Sequence, residues 1–119
     1  MRGDPVGDEL TTRGRTARIE TRGRRSGRPA RATIGFVERP DGSIAVAAGS
    51  PRAGWALNLL DSPRCRVTIG EATSERRAEA LGGPDHAAVV RELILKYGTP
   101  AERLGAGPSF LLHPEPEGS

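Results

Sequence analysis

Apolar and polar residues alternate with a period of two in three separate stretches, the pattern of half-buried strands. In "ARIETR", Ala17, Ile19 and Thr21 fall on one face, with Arg18, Glu20 and Arg22 on the other. In "ARATIGFV" the inward set is Ala30, Ala32, Ile34 and Phe36, and in "RCRVTIG" it is Cys65, Val67 and Ile69. "SIAVAAG" is apolar throughout, which predicts a strand covered on both faces, and "PDG" at 40–42 supplies the turn before it. "ATSERRAEAL" is polar enough for a helix, but "IGEA" just ahead of it reads as a hairpin turn, so a strand is expected. "PSFLLHP" predicts one more short strand.

Two stretches carry a helical period instead. "GWALNLLDSP" places Trp55, Asn58 and Leu59 on one side, and Pro63 closes it. "GPDHAAVVRELILKYG" has Pro84 in its first turn and Asp85 near the positive end of the helix dipole. Val89, Leu93 and Tyr97, with Val90 and Ile94, form its apolar stripe before Gly98 and Pro100 stop it. Some six short antiparallel strands with two helices predict a mainly β fold, a small barrel with helical plugs. The 119 residues suit one domain, read as an arm over 1–16, a barrel over 17–113 and a tail over 114–119. The segment "ELTTRGRT" within that arm reads as a short helix or an irregular strip. There is no internal repeat and no coiled-coil heptad.

Charge changes the picture more than size does. Residues 13–31 hold eight arginines against Glu20 alone, and five of them (Arg22, Arg24, Arg25, Arg28, Arg31) crowd the turn between the first two strands. Repulsion at that spacing points to an acidic partner. A nucleic acid would supply one, with binding that weakens steeply as salt rises. Against it stand the shortage of aromatic rings (Trp55, Tyr97, Phe36 and Phe110 are all there are), the acidic last third and the lack of a recognisable binding helix or finger. The single cysteine, Cys65, excludes an intrachain disulfide, and with His86 and His113 it makes no metal-ligand set. No apolar run approaches the ~18 residues of a membrane span. "MRGDPVGDEL" lacks the apolar centre of a signal peptide, so a cytoplasmic protein is expected.

Two motifs in this order resemble the deazaflavin-dependent nitroreductase family of the split β-barrel superfamily, which includes pyridoxamine-phosphate oxidase and related flavin-binding proteins. The first is the turn Thr21, Gly23, Arg24, Arg25, Ser26, Gly27 and Pro29, with Arg31 one place late. The second is Gly49, Gly54, Trp55, Asn58, Leu59, Pro63, Val67 and Ile69, a glycine-bearing loop followed by a helix and a strand. The resemblance covers roughly 17–113 and implies a small split β-barrel binding coenzyme F-420, an 8-hydroxy-5-deazaflavin with a phospholactyl group and a polyglutamate tail. It further implies hydride transfer from the reduced cofactor to a small electrophile (a quinone, a nitro compound or an activated alkene) and a homodimer. Arg24 and Arg25 are expected at the phosphate and tail, with Gly23, Ser26 and Gly27 shaping an anion-binding concavity and Arg28 and Arg31 outside them. Ala48, Gly49 and Ser50 would bring backbone amides to the ring system, and Trp55 and Asn58 complete the cofactor set, although by residue type Trp55 suits the core and Asn58 a capping or loop-bracing hydrogen bond. FMN is the runner-up cofactor; a tetrapyrrole or a fatty acid without turnover is a further alternative. No catalytic side chain is legible, and the loop before Trp55 is shorter than the family's while Tyr97 is the sole tyrosine.

Overall fold

The structure, a computed structural model, describes residues 15–115. The expected arm, apart from Arg15 and Thr16, and most of the expected tail lie outside the described residues. Strands β1 (Ala17–Arg22) and β2 (Pro29–Ile34) form the basic-tipped hairpin, in register from Ala17 opposite Ile34 to Arg22 opposite Pro29. They are followed by β3 (Val37–Glu38), β4 (Ile44–Ala47), helix α1 (Gly54–Asp61), β5 (Arg64–Ile69), β6 (Ala72–Leu81), helix α2 (Gly83–Tyr97), a 3-10 helix (Thr99–Ala106) and β7 (Ser109–Pro114).

The seven strands make one antiparallel sheet in the order β2-β1-β5-β6-β7-β4-β3. β2 and β3 stand at opposite ends of that order, yet only Gly35 and Phe36 separate them along the chain. Three residue steps reach about 10 Å, so the sheet must curl until its two edges almost meet. The product is a curled half-barrel, mainly β, as the alternation predicts. Its seventh strand is β3, whose two residues are too few for a period of two to register.

β4 is buried along its whole length because it serves two cores. Ile44 and Val46 point into the barrel with Ile19, Ile34, Phe36, Val67, Phe110 and Leu112. Ala45 and Ala47 face outward under α2, against Val89, Leu93 and Tyr97. α1 plugs the barrel with Trp55 and Leu59, and the indole packs on Phe110 at a tilt of 56° with centroids 6.0 Å apart. At the far end of α2 the Tyr97 hydroxyl accepts the Phe36 N–H at 3.1 Å and donates to the Arg15 carbonyl. Lys96 donates to the Phe36 carbonyl at 2.6 Å and lies over the Phe36 ring. The link between β2 and β3 is thereby held to α2.

α2 ends at Gly98, as the sequence predicts, and the chain then enters the 3-10 helix, where Ala101 and Leu104 are buried three residues apart. Gly107 follows. A Cβ there would stand 2.5 Å from the Ser50 carbonyl oxygen and 2.7 Å from that of Ala48, so only bare backbone can cross the 48–50 loop.

Cys65 is buried, and burial pushes its thiol up to about 12 from an ordinary value of 9.0. Because the folded value lies above the unfolded one, this group's contribution to stability is full below pH 9.0 and is lost as pH rises toward about 12. The native protein is expected to resist iodoacetamide at neutral pH and react only on unfolding. Cys65→Val should flatten the decline of the urea midpoint above about pH 9.

Candidate functional site

Six residues, Gly23 to Arg28, join β1 to β2. The Gly23 N–H donates to the Arg28 carbonyl and the Gly27 N–H to the Gly23 carbonyl, both at 2.8 Å. Gly27 sits at φ +73°, which glycine adopts without penalty. At Gly23 a Cβ would meet the Arg28 carbonyl oxygen and Ser26 Oγ at 2.9 Å each. With its backbone closed on itself, the turn leaves the side chains of Arg24, Arg25, Ser26 and Arg28 at the surface.

α1 sets the turn's orientation through one buried amide. Asn58 is 2% exposed. Its Oδ1 accepts the Arg24 backbone N–H at 3.1 Å and Arg24 Nη1 at 2.9 Å. Its Nδ2 donates to Thr21 Oγ1 at 3.0 Å, and the Thr21 hydroxyl turns toward the Ala30 carbonyl. Arg24 Nη1 also reaches the Gly54 carbonyl at the start of α1, at 3.5 Å. Helix, strand and turn thus share a single polar hub.

Arg24 therefore spends part of its guanidinium on the brace. Arg25 and Arg28 have no side-chain partner among the described residues, and the N–H groups of Arg25 and Ser26 are also unbonded there. Ser26 Oγ accepts the Arg28 N–H at 3.1 Å. Arg31 pairs with Glu20, its cross-strand neighbour, at 3.1 Å, and is less available than Arg28. An open groove of about 450 Å³ runs past Gly23, Arg24, Arg25, Ser26, Arg28, Arg31 and Asn58.

Ala48, Gly49, Ser50 and Trp55, also expected as contacts, do not line this groove. The Ala48 N–H donates to the Pro108 carbonyl at 2.8 Å, and the Ala48 carbonyl accepts the Gly107 N–H at 3.1 Å, so Ala48 has no amide to offer. Ser50 closes its own loop, with Oγ taking the Arg52 N–H and its carbonyl the Ala53 N–H. Gly49 and Ser50 are half-buried in that loop. Trp55 is a core residue, 2% exposed, and its Nε1 has no hydrogen-bond partner among the described residues. Gly27 faces a separate cleft on the other side of Pro29.

A family model described as F420H(2)-dependent quinone reductase matches residues 2–103, a span that includes the basic turn, the 48–50 loop and α1. The chain belongs to that family. Among curated proteins none matches. A solved structure of HutZ, described as the heme storage protein from Vibrio cholerae, is similar at 22% identity over 98% of this chain and 92% of that one, with a TM-score of 0.72. An F420-H2 dependent reductase, FDR-A, aligns at 23% identity over 82% of this chain and 93% of that one, with a TM-score of 0.69. A third chain, described as a domain-swapped dimer, aligns at 23% identity over 82% and 79%, with a TM-score of 0.68. At such identities the likeness is one of fold.

Within the family member described here, both histidines are engaged. His86 Nε2 faces the Gly105 carbonyl at 3.3 Å, and Nδ1 shares a hydrogen bond with the Ser109 hydroxyl at 2.7 Å. His113 Nε2 pairs with Glu79 at 2.8 Å. No helix among the described residues is long and apolar enough to cross a membrane. A loop-bracing Asn58 is what the sequence suggests; its partners, Thr21 and Arg24, are what the sequence did not show. The signal that could have found them was a polar residue, Thr21, on the inward face of an alternating strand.

Proposed function

We propose that the chain is an oxidoreductase that uses reduced coenzyme F-420 to reduce a quinone, a nitro compound or an activated alkene, as a cytoplasmic homodimer. The observation that carries this reading is the braced turn: guanidinium groups of Arg25 and Arg28 and the N–H groups of Arg25 and Ser26, all without partners among the described residues, along one groove. That donor set fits a ligand with a phosphate and successive carboxylates, because guanidinium binds both bidentately and backbone N–H groups in a turn concentrate positive potential.

When bound, the reduced deazaflavin supplies the hydride. The chain's own part is positional. Asn58 holds Arg24 and fixes the turn against α1, Arg25 and Arg28 neutralise the anionic groups, and Gly23 lets the backbone come close. Gly49 and Ser50 are the candidates for contact with the ring system; Ala48 and Trp55 support them from the core. The likeness to HutZ favours, as a second reading, tetrapyrrole binding without turnover. Against it, both imidazoles already have partners, and neither is free for iron among the described residues. FMN, with one phosphate, would leave part of the basic turn unmatched.

Turnover decides between these readings. Reduced coenzyme F-420 is mixed anaerobically with the protein and, in turn, a benzoquinone, a nitroarene and a cyclic enone. Return of the oxidised cofactor's absorbance, dependent on both protein and one acceptor, is expected. Acceleration with none of the three, together with tight binding of heme or FMN, would contradict the proposal.

A further inference from the structure

On the outer face of the wall β2-β1-β5-β6, side chains stand in rows set by the strand register. One row alternates in sign, Arg31, Glu20, Arg66 and Glu75, and is joined by ion pairs of 3.1, 4.0 and 2.6 Å. The next row toward the basic turn does not alternate. It reads Pro29, Arg22, Arg64 and Arg77, since Arg22 is opposite Pro29, Arg64 is opposite Arg77, and one step past the Thr21–Cys65 pair brings Arg22 beside Arg64. Arg77 has Glu115 at 4.0 Å. Arg22 and Arg64 are exposed and have no anionic partner among the described residues. Like charges facing across strands repel, and one row away the same wall avoids that repulsion.

Arg22 also lies along the turn, with Nε and Nη2 3.9 Å from where a Gly27 Cβ would be. Arg22, Arg64 and Gly27 border a cleft of about 190 Å³. Its two glutamates, Glu20 and Glu75, are already held by Arg31 and Arg66. Pro29 lines both this cleft and the groove of Arg25 and Arg28, so it forms a rib between two basic depressions.

We propose that the cleft of Arg22 and Arg64 is a second anion-binding site, which takes an outlying carboxylate or phosphate of an extended polyanionic ligand whose first anionic group lies on the basic turn. The inference rests on reading that turn as an anion cradle. A ligand with a single anionic group cannot sit on both sides of the rib; a chain of several can. Bidentate contacts to the two guanidinium groups would remove the cross-strand repulsion that the row carries.

The test is calorimetric titration of the full chain at low salt with a tetra-γ-glutamate peptide and with inorganic tripolyphosphate. Coenzyme F-420 carrying long and no glutamate tails is titrated in parallel. Arg22→Gln with Arg64→Gln is compared with Arg18→Gln with Arg91→Gln, which makes the same change in net charge away from the cleft. The first pair is expected to weaken the preferred probe and long-tailed F-420 about tenfold, and the control pair less than about twofold. Preference for the peptide or for tripolyphosphate tells carboxylate from phosphate. Arg64→Thr is expected to raise the melting temperature without ligand, by relieving the repulsion. Equal weakening in both pairs, or none in the first, would overturn the proposal. If neither form of F-420 binds while the probes still depend on Arg22 and Arg64, the cofactor reading falls and this site stands. If tail-free F-420 binds and the probes ignore both arginines, the reverse holds.

Discussion

Replacing Asn58 by alanine is expected to cost about 2–4 kcal/mol of stability and to weaken binding of coenzyme F-420 by at least about tenfold. The stability loss follows from what the amide satisfies. Thr21 Oγ1 would lose its donor and keep only the long contact to the Ala30 carbonyl, the part-buried Arg24 backbone N–H would lose its acceptor, and Arg24 Nη1 would lose its shorter contact. The binding loss follows from freedom returned to the turn, since a loop that must be ordered on binding surrenders part of its interaction energy. Asn58→Leu keeps the volume and removes the polar atoms, so it should lose binding as alanine does. Asn58→Asp keeps an acceptor for Arg24, and the Thr21 hydroxyl can turn to donate to it, so binding should largely return. Urea unfolding and fluorescence titration of the three variants check this. Alanine and aspartate variants with the same weakened affinity would remove the hub from the account.

The strands were legible wherever alternation ran for four residues or more. β1, β2 and β5 show it plainly, and the apolar run of β4 announces a strand covered on both sides. β6 was separable from a helix only through the "IGEA" turn. The 3-10 helix was not legible, because its buried positions, Ala101 and Leu104, repeat at three and sit among glycine and proline, which read locally as loop. The turn's glycines were legible from type alone, and the structure gives each its reason: a positive φ at Gly27 and a close approach at Gly23. What the motif could not reveal is which arginines are spent internally. Arg31 is answered by Glu20 across the hairpin and Arg24 by Asn58 from a helix 34 residues away, both consequences of pairing in space. Trp55 and Ala48 stand in the same motif as the loop glycine, yet they serve the core, where helix position and strand end leave them no solvent face.

That distinction decides which residues carry the second large effect. The side chains of Arg25 and Arg28 make no hydrogen bond or ion pair among the described residues and are exposed, so Arg25→Glu with Arg28→Glu should leave the fold intact. It also replaces two charge-assisted contacts by two repulsions at the groove, and a loss of at least about a hundredfold in cofactor affinity is expected. Arg24→Glu is a poorer probe, since a carboxylate beside Asn58 Oδ1 would disturb the hub as well as the charge.

Fluorescence titration of oxidised coenzyme F-420 into the native protein and into the Arg25→Glu, Arg28→Glu variant, with both melting curves recorded, puts the central claim to the most direct test. The account predicts saturation at about micromolar concentration for the native protein, and at least about hundredfold weaker binding by a variant that melts within about 2 °C of it. Equal affinity in the two proteins would contradict it, because the cofactor would then be held somewhere other than the basic turn.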